Sequence, residues 1–342
     1  MTQLSGTPLS VLDLAPVVDG STPADALAAT LELARAAERL GYRRVWVAEH
    51  HNMAGIASSA PAVLLAAIGA ATQSIRIGSG GVMLPNHPPL VVAEQFGTLS
   101  ALHPGRVDLG IGRAPGTDQL TAHALRRSAD PLLAEDFPQQ LAELRTFFSG
   151  DWPAGHAYQS VRATPGHGER PEVWLLGSSG YSAQVAGLLG LPFAFAHHFS
   201  AVNTEPAIAL YRSRFQPSDG LDEPHVMVCV GAVVADDDAD AERLALPGRL
   251  SMLRLRQGRP GPMPTVEQAA RHRWTSAELQ VVQGARAGQV VGSPETVRAG
   301  LEDLLARTDA DELMVTALVG DIAARVHSYS LLAGLAAPLL AV

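Results

Sequence analysis

Five short stretches carry side chains that could do chemistry, and each follows an apolar run where the chain turns polar or glycine-rich. Glu49-His50-His51-Asn52 follows Val45-Trp46-Val47-Ala48 and supplies imidazoles, which titrate near neutral pH and can move protons. Adjacent residues on an extended segment point to opposite sides, so one histidine is expected to face inward and the other to be structural, and the pair is not expected to share a metal. Gly78-Ser79-Gly80-Gly81 offers backbone without side chains, which lets a flat ring approach closely. Arg113, in Gly110-Ile111-Gly112-Arg113-Ala114, carries a planar fork suited to two oxygens of a phosphate. Gly177-Ser178-Ser179-Gly180-Tyr181-Ser182 opens a helix whose free N–H groups, with the hydroxyls of Ser178, Ser179 and Ser182 alongside, make an anion site. His197-His198 ends a further apolar run. His87 and Glu94 flank the start of a helix, where Glu94 also suits the helix dipole. Each group has a plainer alternative: a loop hydrogen bond for the histidines, a simple turn for the glycines, a solvated arginine, an N-cap for the serines.

These groups need a scaffold that gathers strand ends. Ile75 and Ile77 begin a strand that breaks at the glycine run; a helix opened by two prolines ends at His103-Pro104-Gly105, and Val107, Leu109 and Ile111 form the next strand. This is a βαβ unit of a parallel sheet. Other strands are expected at Leu9–Leu14, Val45–Ala48, Val173–Leu176, Phe193–Ala196, Val226–Val234 and Glu312–Val319. Helices between them start at Thr22-Pro23, at Ser58 or Ser59 before Pro61, at Pro131, at Ser178-Ser179-Gly180, at Thr204 and at Ser293-Pro294-Glu295. Arg113–Asp130 reads as a polar loop and the apolar C-terminal segment as the last helix. Eight strand-helix units favour a closed (β/α)8 barrel, a single domain spanning 1–342, with insertions at 151–170 and 236–286, the second with a mobile middle. The helix Pro61–Ala71 lacks the polar stripe of a surface helix, which implies cover from outside by a second subunit.

Composition removes several function classes. Hydrophobic residues make up 47% and charged ones 17%, a globular chain with a large core. All 25 basic residues are arginine, so Schiff-base aldolases, pyridoxal-phosphate enzymes and P-loop phosphotransferases, which need a lysine amine, are excluded. A net charge of -9 with no basic run argues against a nucleic-acid surface. The one cysteine, Cys229, forms no internal disulfide or thiolate cluster, and with no apolar run of roughly 18 residues the expected home is the cytoplasm.

From Leu9 to Val319, and most clearly in Ala48-Glu49-His50-His51, Ile75–Thr117 and Val291-Gly292-Ser293-Pro294-Glu295, the chain resembles the luciferase-like flavin-dependent monooxygenases of the bacterial luciferase superfamily. The resemblance implies a TIM barrel that binds FMN. It places His50 as the active-site histidine, a non-proline cis peptide near Gly80-Gly81, Arg113 and the serines at the flavin phosphate, and His197 or its neighbour beside the ring. It also implies a homodimer built on the helices after strands two and three. Where luciferases carry a reactive cysteine before the arginine, this chain has Gly112, which speaks against light emission.

The reading is an FMN-dependent monooxygenase that uses reduced flavin and O2 on a small organic substrate. No G-x-G-x-x-G follows a strand, so reduced flavin is expected from a separate flavin reductase. The alternatives are a deazaflavin (F420)-dependent hydride-transfer enzyme of the same superfamily, a flavin-binding protein without turnover, and a metal-dependent barrel hydrolase.

Overall fold

Strand residues alternate between two environments, one against surrounding helices and one inside a ring, and this period of two defines the architecture. The structure is a computed structural model and describes residues 4–114, 117–126 and 136–337. Its strands are β1 (Leu9–Asp13), β2 (Arg44–Val47), β3 (Arg76–Met83), β4 (Val107–Gly112), β5 (Glu172–Gly177), β6 (Phe193–Ala196), β7 (Val226–Val234), β8 (Gln289–Gly292) and β9 (Glu312–Thr316). All pairings are parallel. The pairings β1 to β7 in sequence, then β7–β9 and β9–β1, close an eight-stranded barrel. The short strand β8 stays outside it, on the edge of β7 that β6 leaves free: β6 takes Val226 to Cys229 and β8 takes Gly231 to Val234.

Val11, Val45, Val47, Ile77, Leu109 and Val228 belong to the outer core beneath the helices, whereas Leu12, Trp46, Trp174, Met227 and Met314 fill the ring. Each aliphatic side chain buried this way stabilises by roughly 1.5–3 kcal/mol. The Trp46 and Trp174 rings meet edge to face, centroids 5.5 Å apart. A Cβ on Gly78 would lie 2.4 Å from Trp46 Nε1, so the indole crosses β3 only because that residue is glycine.

The N-terminal end of the ring is closed by charge. Arg44, fully buried, donates through Nη1 to Asp108 (2.9 Å) and through Nε and Nη2 to Glu312 (2.9 and 3.0 Å). Trp46 Nε1 donates to Asp108 (2.8 Å), Arg76 pairs with Asp108 and Glu172, and Ser10 donates to Glu312.

The helices are α1 (Pro23–Arg39), α2 (Pro61–Ala71), α3 (Pro89–Leu102), α4 (Gln119–Arg126), α5 (Phe137–Ser149), α6 (Gly180–Leu188), α7 (Thr204–Arg214), α8 (Asp238–Arg256), α9 (Val266–Ala270), α10 (Ser276–Arg286), α11 (Pro294–Thr308) and α12 (Ile322–Ala336). Thr22 caps α1 in a reciprocal box with Asp25, and Ser293 caps α11. No helix among the described residues is long and apolar enough to cross a membrane.

Several expectations are corrected. The glycine run does not break the strand: β3 continues through it, with a register shift against β4 between Ser79 and Val82. Ser58 does not cap α2, because its hydroxyl donates to the Leu14 carbonyl while its own carbonyl accepts from His50 N–H. Thr204 is the first residue of α7 rather than its cap, and its hydroxyl is taken by His197. The polar loop after β4 contains α4; the first residues of the helix expected from Pro131, 131–135, lie outside the described residues, and α5 begins at Phe137. The segment 151–170 is a series of turns. The 236–286 excursion is helical, and in its middle Met263 N–H donates to Val17 (2.8 Å) while Asp19 N–H donates to Met263 (2.7 Å).

Candidate functional site

The strands deliver their last residues to one end of the ring, where a cleft of about 250 Å³ opens. Leu12, Trp46, Leu176, Ala194 and Met314 give it an apolar floor. Gly80 and Gly81, joined by a cis peptide bond, bring bare backbone to its edge. A Cβ on Gly81 would lie 2.8 Å from the Gly110 carbonyl, so the close packing of β3 on β4 demands glycine there.

Arg113, Ser178, Ser179 and Ser182 line the same cleft. The Arg113 guanidinium lies over the Tyr181 ring, 4.2 Å from its centroid, which orients it without spending its N–H donors. Ser179 sits at the N-cap of α6 in extended conformation, and its side chain makes no bond to the first turn. That hydroxyl and the first N–H groups of the helix are therefore available to an anion. No aspartate or glutamate is among the described residues lining the cleft. A planar aromatic group with an anionic tail matches this donor set.

His50 and His198 line both this cleft and a second, apolar cavity of about 170 Å³ under α8, so they stand at the seam between the two. Burial pushes His198 down to about 4, opposed by its bond to the Cys229 carbonyl and reinforced by His197 and His50. A carbonyl only accepts, so Nδ1, 3.0 Å from Cys229 O, carries the proton of the neutral ring and Nε2 is an acceptor. The Cys229 thiol, also in the cleft, is pushed up by burial and stays protonated.

His51 turns away to Glu49, a fully buried carboxylate that accepts from His51 Nε2 (2.8 Å), His87 Nε2 (2.9 Å) and Met83 N–H (3.1 Å). Desolvation pushes the Glu49 carboxyl up, but the His87, His51 and Met83 contacts prevail and hold it below its usual range. Glu49, His51 and His87 have the spacing of a metal-ligand set, yet both ring nitrogens already meet one oxygen, Oε1, and none of the three lines either cavity. Their shared work is to tie the end of β2 to the end of β3.

The structure does not bring His197 to the cleft. Its Nδ1 is bonded to the Thr204 hydroxyl (2.7 Å), the ring is buried toward α7, and burial holds its pKa down. Its neighbour His198 lines the cleft instead. Glu94 does not line the cleft either.

Sequence reasoning missed Tyr181, the seam role of His198, and the second cavity. That cavity is roofed by a stripe of α8, Ala245, Gly248, Arg249 and Met252, whose spacing of three and four is a helical face. The spacing was readable, but Pro247 stands inside it and reads as a helix stop.

A sequence model of the luciferase-like monooxygenase family matches residues 8–312. A luciferase-like monooxygenase of Escherichia coli strain K12 is 49% identical over 322 residues, covering 94% of this chain and 95% of that protein. The crystal structure of apo-MsnO8 superposes with a TM-score of 0.84 at 38% identity, covering 97% of this chain and 98% of that one. The fold extends to the FMN-bound oxygenating constituent of 3,6-diketocamphane monooxygenase from Pseudomonas putida, with a TM-score of 0.72 at 18% identity over 98% of this chain and 100% of that one.

Proposed function

Because the chain belongs to the luciferase-like monooxygenases, we propose that it binds FMN in the cleft at the C-terminal end of the barrel and oxygenates a small organic molecule beside it. One observation carries this reading: Arg113 and the serines of the α6 turn share a single apolar cleft, without a carboxylate among its described residues, with Gly80, Gly81 and His50.

Arg113, Ser178, Ser179, Ser182 and the first turn of α6 hold the phosphate. Gly80 and Gly81 present backbone to the ring edge. When bound, reduced FMN supplies the electrons with which dioxygen is activated. His50 moves the proton at the seam, and neutral His198 offers Nε2 as an acceptor next to it. The apolar floor excludes water. Reduced flavin comes from a separate reductase. The protein works in the cytoplasm as a homodimer through α2 and α3, whose Val63 and Leu102 are 73% and 61% exposed.

The test is an absorbance and fluorescence titration of the purified protein with FMN, riboflavin and F420. Micromolar or tighter binding of FMN, stronger than of riboflavin, is expected. Preference for F420 would move the protein to hydride transfer, and failure of all three to bind would overturn the flavin reading.

A further inference from the structure

The second cavity is built for a particular kind of molecule. Met53, Ile56, Val233, Met252, Met263 and Leu318 are among the apolar residues of its wall. At about 170 Å³ it exceeds the roughly 150 Å³ apolar cavity that accommodates a benzene ring. Among the described residues its lining contains one arginine, Arg249, which also borders the neighbouring polar cleft that holds Glu242 and Arg286, and no carboxylate. An ammonium group would meet no counter-charge there.

Arg249 is held in an unusual state for a paired arginine. Its side chain is 10% exposed and its Nη1 is bonded to Glu242, which is itself 41% exposed. Glu242 Oε1 is also bonded to Arg286 Nη2 at 3.0 Å, so two guanidiniums share one carboxylate and the trio keeps a net positive charge. The Arg249 Nε is buried with no hydrogen-bond partner among the described residues, and so is the hydroxyl of Ser251, another lining residue. A ligand carboxylate on the Arg249 guanidinium would balance the surplus charge of the trio.

We propose that this cavity binds an apolar organic anion, with its ring-sized body against the methionine and aliphatic wall and its carboxylate on Arg249 beside Ser251. The body then lies along the seam formed by His50 and His198, next to the cofactor cleft. The inference rests on the oxygenase reading in one respect, that the molecule bound here is the one oxidised.

Three probes of one size and different charge test it: phenylacetate, phenylacetamide and 2-phenylethylamine, titrated by calorimetry into the full chain with and without FMN. Phenylacetate is expected to bind at least about tenfold more tightly than the amide, with the amine weakest. Arg249→Gln should weaken phenylacetate by roughly ten- to hundredfold and leave phenylacetamide and FMN unchanged. Glu242→Gln, at a half-exposed position, frees the guanidinium and should tighten phenylacetate, a gain that a folding defect cannot imitate. Equal binding of the three probes, an Arg249→Gln protein that keeps its phenylacetate affinity, or a Glu242→Gln protein that loses it would each overturn the proposal. If FMN fails to bind while phenylacetate still depends on Arg249, the flavin reading falls and the anion cavity stands.

Discussion

The N-terminal end of the barrel and the cleft at its other end treat polar groups in opposite ways. At the N-terminal end Arg44, Asp108 and Glu312 are wholly buried and bonded to one another, with Trp46, Ser10 and Arg76 using up further capacity. At the C-terminal end Arg113 lies on Tyr181, Ser179 caps no helix turn, and His198 keeps Nε2 as an acceptor. Saturated donors and acceptors define a unique closed packing, whereas uncommitted ones at a concave apolar surface define a place for a ligand. The same ring serves both purposes because its strands are parallel, which puts all N-terminal ends on one side.

The contrast is breakable. The largest expected effect is at the closed end: Arg44→Ala leaves Asp108 and Glu312 buried without their main counter-charge and should cost about 3–5 kcal/mol in urea unfolding. If it weakened flavin binding while leaving stability intact, the division of labour between the ends would be wrong.

Next comes the open end's response to acid. The imidazole of His198 titrates near 6.5 when unfolded and near 4 in the fold, so it contributes stability above pH 6.5 that is lost as pH falls toward 4. The loss approaches about 3 kcal/mol, by the linkage of one pKa unit to about 1.4 kcal/mol. It should vanish in His198→Phe, compared by urea unfolding between pH 7 and 4.

Arg113→Ala should weaken FMN by roughly ten- to hundredfold, leave riboflavin unaffected and shift stability by less than about 0.5 kcal/mol, since the residue is exposed. Equal loss of both flavins would sink its assignment to the phosphate.

The smallest effect is expected at Glu38, near the end of α1, whose partly exposed carboxylate accepts from the turn that leads into β3 and is screened by solvent. Desolvation pushes this carboxyl up, but the amides of Ser74, Ile75 and Gln73 and the Ser74 hydroxyl prevail and bring it to about 2. Its contribution is present above pH 4.5 and lost as pH falls through 2, a window that begins where that of His198 ends. Glu38→Gln should flatten the unfolding curve there alone.

The strands of the ring were legible because each is a short apolar run ended by glycine, proline or a polar group, and β6 and β7 fall where their residues predict. Thr22 and Ser293 announce their helices through side chains that accept from the first turn. Helix α4 was hidden because its polar residues resemble a loop, and α8 because Leu250 and Leu253 face one cluster while Met252 faces the cavity, erasing the apolar–polar contrast. Of the site, Arg113 and the serines were legible as chemistry that needs an anion. The choice between His197 and His198 was not, because the chain turns directly after β6 and strand alternation no longer says which side a residue takes. Strand β8, four residues long and only partly buried, gave no signal of its own.

That strand has an evolutionary consequence. Because β8 hangs on the protruding half of β7 and not on the ring, the roof it forms with α8 is an interchangeable part. Grafting residues 236–292 between relatives should transfer the preference for the molecule bound beneath α8 without disturbing the cleft at the strand ends, so that one appendage can be remodelled on a constant ring.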